Sequence, residues 1–141
     1  MGLPHYNLVA RQRADDLFIE VHRLTHQRFP THERYELGSQ LWRAAYSIPA
    51  NMVEGVAREH HRDKIRFFNI ASASLSELGY GLHASKRLGY IDAATYADLE
   101  QKLRYIAAPL RGLIRKSKAA IAVRLGTSVV FAGLVAFALS H

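Results

Sequence analysis

The sequence predicts an all-α protein, an antiparallel up-down-up-down four-helix bundle with a kinked second helix and an apolar C-terminal helical extension. Three observations carry that prediction. Apolar residues recur at threes and fours through four successive segments, turn-forming residues fall between them, and no alternation of period two lasts more than a few residues. At 141 residues the chain can bury one core without staples, and it contains no cysteine to make them.

In the first segment Ala14, Leu17, Val21 and Leu24 form one helical face that Phe18 widens, and Phe29-Pro30 ends it. The second runs from about Thr31 to Gly55, with Leu37, Leu41, Ala44, Ala45 and Ile48 on one side and Trp42 and Tyr46 flanking it. Pro49 cannot donate to the carbonyl of Ala45 and its ring crowds that turn, so this helix is expected to kink or to restart with Ser47 as its N-cap. In a kinked helix Asn51 and Glu54 share a face, where they would satisfy the backbone groups that the kink frees. The third segment, about Arg62 to Leu88, places Phe68, Ala71, Leu75, Leu78 and Leu82 on one stripe, and its small residues Ser72, Ala73, Ser74 and Gly79 allow another helix to come close. The fourth, about Asp92 to Lys118, has the clearest stripe: Tyr96, Leu99, Leu103, Ile106, Leu110 and Leu113. Narrow, nearly heptad stripes suit a bundle. "GVAREHHRD" connects the second segment to the third. "LGYID" puts Gly89 at a helix C-terminus and Asp92 at the next N-cap, which predicts a hairpin of the third and fourth helices.

The bundle is therefore expected to occupy residues 1–118, leaving residues 119–141 as an apolar tail. That tail contains a single charge, Arg124, and its last apolar run is the 15 residues Leu125 to Leu139. As a helix the run spans about 22 Å, short of the ~30 Å of a bilayer core. Starting at Ala119 gives a nominally sufficient length, but Arg124 must then snorkel toward one interface. Arg111, Arg115, Lys116 and Lys118 would lie on the cytoplasmic side of such an anchor. A buried fifth helix or an oligomer seam is the competing reading of the same residues.

Lys and Arg number 19 against 12 Asp and Glu, a net charge of +7. That balance favours polyanions, either nucleic acid or an acidic membrane surface. The candidate phosphate contacts are Arg58, Arg62, Lys64, Arg66, Lys86, Arg87, Arg111, Arg115, Lys116 and Lys118. The N-terminus lacks the apolar core of a signal peptide, and Gly2, followed by Pro4, departs from a myristoylation motif. A cytoplasmic location is expected, with membrane association through residues 119–139 as the alternative; the lack of cysteine fits a reducing compartment.

Few residues suggest reaction chemistry. His22 and His26 are four apart on the first helix, but "HRLTH" lacks the glutamate of the zincin arrangement and no third ligand is evident, so no metal is expected. His60 and His61 adjoin Arg58 and Arg62 and add to a basic patch. Glu54 and Glu77 could in principle work as an acid-base pair. No convergent nucleophile accompanies them, and a structural role is expected for Ser47, Asn51, Glu54 and Glu77. "GYG" at Gly79 to Gly81 lacks the preceding strand of a phosphate loop and reads as close helix packing. No nucleophile elbow, Walker loop or dinucleotide fingerprint occurs, so the chain is read as non-enzymatic and without a cofactor.

Two runs carry a resemblance. "LWRAAYSIPANMVEG" supplies Arg43, Ala44, Ser47, Ile48, Pro49, Asn51, Glu54 and Gly55; "FFNIASASLSEL" supplies Phe68, Ile70, Ala71, Ser74, Glu77 and Leu78, with Ala73 where glycine is usual; "LGYI" follows. Over about residues 8–118 the chain resembles the four helix bundle protein family of 23S ribosomal RNA intervening sequences, the S23 family. The resemblance implies a bundle that assembles into a barrel-like homopentamer. It also implies kinship with the accessory proteins of diversity-generating retroelements, basic pentamers that bind nucleic acid and a reverse transcriptase, and it implies no established enzyme activity. The apolar tail departs from the usual polar end of that family. The expectation from sequence is an oligomeric scaffold or accessory protein that binds nucleic acid through its basic surface, with a membrane-associated bundle as the alternative.

Overall fold

The computed structural model describes residues 5–139, with side chains from Val9 onward. The reading of Gly2 falls on residues 1–4, outside the described residues, as do the first four residues of the segment read as lacking a leader and the last two residues of the tail. The elements are α1 (His5–Arg28), the single turn α2 (Thr31–Arg34), α3 (Leu37–Ala57), α4 (His61–Arg87) and α5 (Ala93–Leu139). Among the described residues every regular element is a helix.

The predicted stripes are the ones that pack. Ala14, Leu17 and Val21 of α1, Leu41, Ala45 and Ile48 of α3, Phe68, Leu78 and Leu82 of α4, and Leu99, Ile106 and Leu110 of α5 close one core. Side-chain pairs fix the directions. Phe18 meets Tyr46, and His22 meets Trp42, so α1 and α3 run antiparallel. Ser47 meets Ser74 and Leu41 meets Gly81, so α3 and α4 do too. Gly79 faces Leu103 and His83 faces Tyr96, which makes α5 antiparallel to α4.

The second helix is kinked, and its break lies at Tyr35–Glu36, where α2 meets α3. α3 continues as helix on both sides of Pro49. Tertiary contacts explain the break: Arg34 Nε donates to the Phe29 carbonyl at 3.3 Å, and Tyr90 Oη donates to Glu33 Oε1 at 3.1 Å. Gly38 lies under this corner, where an added Cβ would sit 3.1 Å from the Glu33 carbonyl and 3.3 Å from Thr25 Cβ. The turn between α4 and α5 is as expected. Gly89 has φ +79°, its N–H donates to the Lys86 carbonyl at 3.0 Å, and that of Tyr90 donates to the Ser85 carbonyl at 2.9 Å. Asp92 Oδ1 accepts from the Thr95 N–H at 2.7 Å, and this bond holds the Asp92 carboxyl below its usual range.

α5 differs most from expectation, because it does not end at Lys118. It runs unbroken for 47 residues. Burial stops at Ser117, the last residue it places in the core. Past it the alanine-rich stretch Ala119 to Ala122 holds no proline, and isolated glycines weaken a helix by about 1 kcal/mol each without breaking it.

Candidate functional site

The α3–α4 hairpin register, set by Ser47 on Ser74, and the α4–α5 register, set by Leu103 on Gly79, sort the candidate cations between the two ends of the bundle. Arg58, Arg62, Lys64 and Arg66 lie around the α3–α4 turn. Arg115, Lys116 and Lys118 of α5 fall at the same end, while Arg111, level with Ala71, lies nearer the middle of the bundle. Lys86 and Arg87 lie at the opposite end, where Lys86 Nζ sits 4.9 Å from the centre of the Tyr96 ring. Seven of the ten residues therefore form one large basic end, and Lys86 and Arg87 a small one.

Two cations at the basic end are committed to the fold. Arg58 pairs with Glu54 one turn back and lies over the Phe67 ring at 4.7 Å, while Lys64 Nζ donates to the Val56 carbonyl at 3.4 Å and so closes the C-terminus of α3. Arg62, Arg111, Arg115 and Lys118 are exposed and make no ion pair among the described residues. Arg66 is exposed as well, 6.0 Å from the Phe67 ring centre.

Out of this end comes the remainder of α5. From Ala122 to Leu139 every residue is exposed. Val129, Phe131 and Leu139 are 73%, 71% and 83% exposed. The helix includes an 18-residue apolar window, long enough to cross a membrane by length and composition, of which nothing is buried. A buried fifth helix is thereby corrected: residues 122–139 of the extension are exposed throughout. Its lone charge has a definite place. Arg124 follows Ser117 by seven residues, in line with Ile106, Leu110 and Leu113, on the side of α5 that faces the bundle.

The polar residues of "SIPANMVEG" do structural work of two kinds. Asn51 Nδ2 donates to the Ser47 carbonyl at 2.7 Å and to Ser47 Oγ at 2.9 Å. Ser74 Oγ lies 2.8 Å from Ser47 Oγ and 2.9 Å from the Ile70 carbonyl. One hydroxyl proton on each serine completes the chain: Ser74 donates to Ile70 and Ser47 donates to Ser74. The carbonyl that Asn51 reaches is Ser47's, two residues on from the Ala45 carbonyl that Pro49 frees. Ser47 lies mid-helix, so it is not an N-cap. Glu54 and Glu77 are not buried: the Glu54 side chain is 45% exposed against Arg58, and Glu77 is exposed on α4. By the hairpin register Glu54 stands level with Phe68, nine residues from Glu77, which separates the two carboxylates by about 13 Å along the bundle.

His22 and His26 stack with ring centres 4.3 Å apart, and His26 Nδ1 lies 2.8 Å from the His22 carbonyl. Among the described residues no three His, Cys, Asp or Glu side chains converge as a metal site. Sequence reasoning missed a polar clasp between α1 and α5. Lys102 Nζ bonds both oxygens of Glu20 at 2.7 and 2.8 Å and pairs with Asp98 at 2.7 Å. Arg13 Nη1 donates to the Tyr105 carbonyl at 3.2 Å. That carbonyl is the one Pro109 leaves without its helical donor. The Asp98–Lys102 spacing was the available signal; the cross-helix partners were not in the sequence pattern.

Comparison with known proteins agrees with this architecture. None of the curated proteins matches the sequence. A crystal structure of a protein of unknown function from the S23 ribosomal protein family of Bacteroides thetaiotaomicron superposes with a TM-score of 0.73 at 22% identity, covering 78% of this chain and 98% of that one. At that identity the likeness shows the fold. The family model described as 23S rRNA-intervening sequence protein matches residues 6–112, stopping short of the apolar extension. The chain thus belongs to the 23S rRNA-intervening sequence protein family, and carries beyond the family's matched region a helix of membrane-spanning composition.

Proposed function

We propose that this protein is a non-enzymatic accessory or scaffold protein of its family, tethered to a membrane by the C-terminal half of α5 with its bundle on the cytoplasmic side. The observation that carries the reading is the unbroken passage of α5 from the core into an apolar stretch that is exposed throughout. Leaving so many large side chains in water is unfavourable by about 25 cal/mol per Å² of apolar surface, and a bilayer removes that cost. The basic end flanks the apolar stretch on one side, as the excess of Lys and Arg on cytoplasmic flanks requires. Carbonate extraction of a membrane fraction tests it: the protein is expected to stay with the membranes, and its complete release into the soluble fraction would overturn the tether.

A second reading is favoured by one observation, the gathering of unpaired arginines at the basic end. There the protein would bind nucleic acid through sequence-tolerant phosphate contacts, alongside a reverse transcriptase if the kinship extends to partners. Binding of structured RNA and duplex DNA would then fall steeply with salt. No retention at low salt overturns that reading. Self-association into a homopentamer belongs to either. It is supported by Val53 of α3 and Ile70 of α4, exposed at matching heights on the outer face, and mass photometry in detergent and in plain buffer would test it.

A further inference from the structure

We infer that the end of the bundle from which α5 departs is a collar for anionic lipid headgroups, with Arg62, Lys118 and Arg124 as its phosphate-binding cations. The inference rests on the membrane tether proposed above and adds which lipids the protein selects and how deeply it sits.

Height along the bundle is the first ground. The register of Leu103 on Gly79 puts Arg62 roughly level with Ala120, and Lys118 level with Lys64. Arg124 is about 6 Å further along α5, one helical turn. These three cations thus bracket the plane where the bundle ends and uncovered apolar helix begins. Direction is the second. Arg124 continues the stripe of Leu110, Leu113 and Ser117, so it lies over the end of the bundle and not on the side that faces lipid tails. A guanidinium so placed stays in the headgroup layer with the α3–α4 turn below it, and needs no long snorkel out of the hydrocarbon.

Charge is the third. Residues 54–66 together with 111–124 contain nine Lys and Arg against three carboxylates, Glu54, Glu59 and Asp63. Glu54 is taken by Arg58. Arg62, Lys118 and Arg124 have no carboxylate partner among the described residues, and each is exposed. Arginine presents a planar fork that matches a phosphate, and lysine a point charge, so the set suits headgroup phosphates on an acidic leaflet. The collar also accounts for the length of the anchor. With Arg124 among the headgroups, the hydrocarbon is left to Leu125 through Leu139, about 22 Å against ~30 Å of bilayer core. Cations drawn onto acidic headgroups pull the bundle into the interface and let the bilayer thin locally around the short span.

The test uses the full chain, transferred from detergent to vesicles of phosphatidylcholine alone or of phosphatidylcholine with phosphatidylglycerol, and read by flotation at low and high salt. Wild type is expected to float with both, with a preference for the anionic vesicles of roughly tenfold to a hundredfold at low salt that high salt removes. The triple variant R62Q/K118Q/R124Q, checked for wild-type helicity and melting by circular dichroism, is expected to float with both equally. Equal flotation of wild type with the two kinds of vesicle overturns the collar and leaves the tether standing. Failure to float with either overturns the tether, and the collar with it. If the triple variant keeps the anionic preference but loses binding to structured RNA or duplex DNA, these cations serve nucleic acid and the collar is wrong.

Discussion

Gly55 is the last residue of the "SIPANMVEG" run, and its replacement by alanine tests the packing of α3 on α4 directly. A Cβ built there would stand 2.6 Å from Cε1 and 2.8 Å from Cδ1 of Phe68, and 3.2 Å from Cβ of Phe67. Phe68 is 2% exposed. To reach an ordinary contact near 3.4 Å the ring has to retreat by about 0.8 Å into a close-packed core. Overpacking of this kind costs about 1–3 kcal/mol. Alanine regains up to ~1 kcal/mol of helix propensity over glycine, and less here because Gly55 lies in the last turn of α3. The net expectation is a loss of about 1–2 kcal/mol. In a bundle of this size that lowers the melting temperature by roughly 4–8 °C. Thermal unfolding of the full chain in mild detergent, followed by circular dichroism, measures it. A double-mutant cycle with Phe68→Leu should recover part of the loss, because the smaller side chain vacates the ring's position. Gly133→Ala, with nothing within 4 Å, should leave the bundle's melting unchanged. If Gly55→Ala melts at or above wild type, the Phe68 ring does not rest on Gly55 and the α3–α4 register given above is wrong.

Other perturbations separate buried from exposed polar contacts. Asn51→Ala should cost about 1 kcal/mol, since it strips the part-buried Ser47 hydroxyl of the amide donor and the Ser47 carbonyl of its side-chain donor, whereas Glu54→Ala, losing only an exposed pair within one helix, should cost no more than about 0.5 kcal/mol; urea denaturation that ranks them the other way would refute the assignment. Arg13→Ala should loosen the α1–α5 contact by about 0.5–1 kcal/mol, and hydrogen exchange should rise in the turn around Pro109 before it rises in α4. Burial pulls the Lys102 ammonium down, but the hydrogen bonds it donates to Asp98 and Glu20 outweigh it and hold the group above its usual range. Its contribution is thus fully present below the unfolded pKa of ~10.4 and is lost as pH rises through the higher folded value. Lys102→Met should flatten that alkaline loss of stability, and an unchanged pH profile would show that the clasp does not form.

Much of the bundle was legible because burial imposes a period on the sequence. Leu99, Leu103, Ile106, Leu110 and Leu113 could face one core only as one stripe of a helix, and that is where they lie. The Gly89–Asp92 turn was readable for an equally local reason, a left-handed residue followed by a capping carboxylate. What escaped depends on contacts between distant parts of the chain. The break at Tyr35–Glu36 is held by Tyr90 and by the close approach at Gly38, neither of which leaves a local mark. Pro49 and Pro109 both lie inside helices that run on past them. A proline's missing bond does not show whether a neighbouring helix supplies another, as Arg13 does for Tyr105. Glu54 and Glu77 look buried in an apolar-periodic run, yet both fall off its inward stripe. For the site, composition identified the cations but not their distribution. Only the hairpin registers show that seven of the ten share an end, that Arg111 lies nearer mid-bundle, and that Lys86 and Arg87 lie at the other end.

The continuity of α5 has a mechanical consequence that can be measured. A flexible linker would let the bundle tumble over the membrane, but here the helix packed in the core and the helix proposed as anchor are one rod, so the bundle inherits the anchor's tilt, on average about 20° from the bilayer normal. The α3–α4 turn should therefore stay at the membrane surface, with the α4–α5 turn held about 40 Å above it, given some 28 residues of rise between Glu59 and Leu88. The chain has no cysteine, so single labels can be placed without background. Glu59 and Leu88 are both exposed. A fluorophore on Glu59→Cys should be strongly quenched by an acceptor dye in the bilayer, and one on Leu88→Cys only weakly. A glycine-serine insertion after Ala120 should preserve flotation but bring the two efficiencies together, because the bundle can then tip. Equal quenching of the two labels in the uninterrupted chain would show that α5 does not hold the bundle upright, whether or not the protein is tethered.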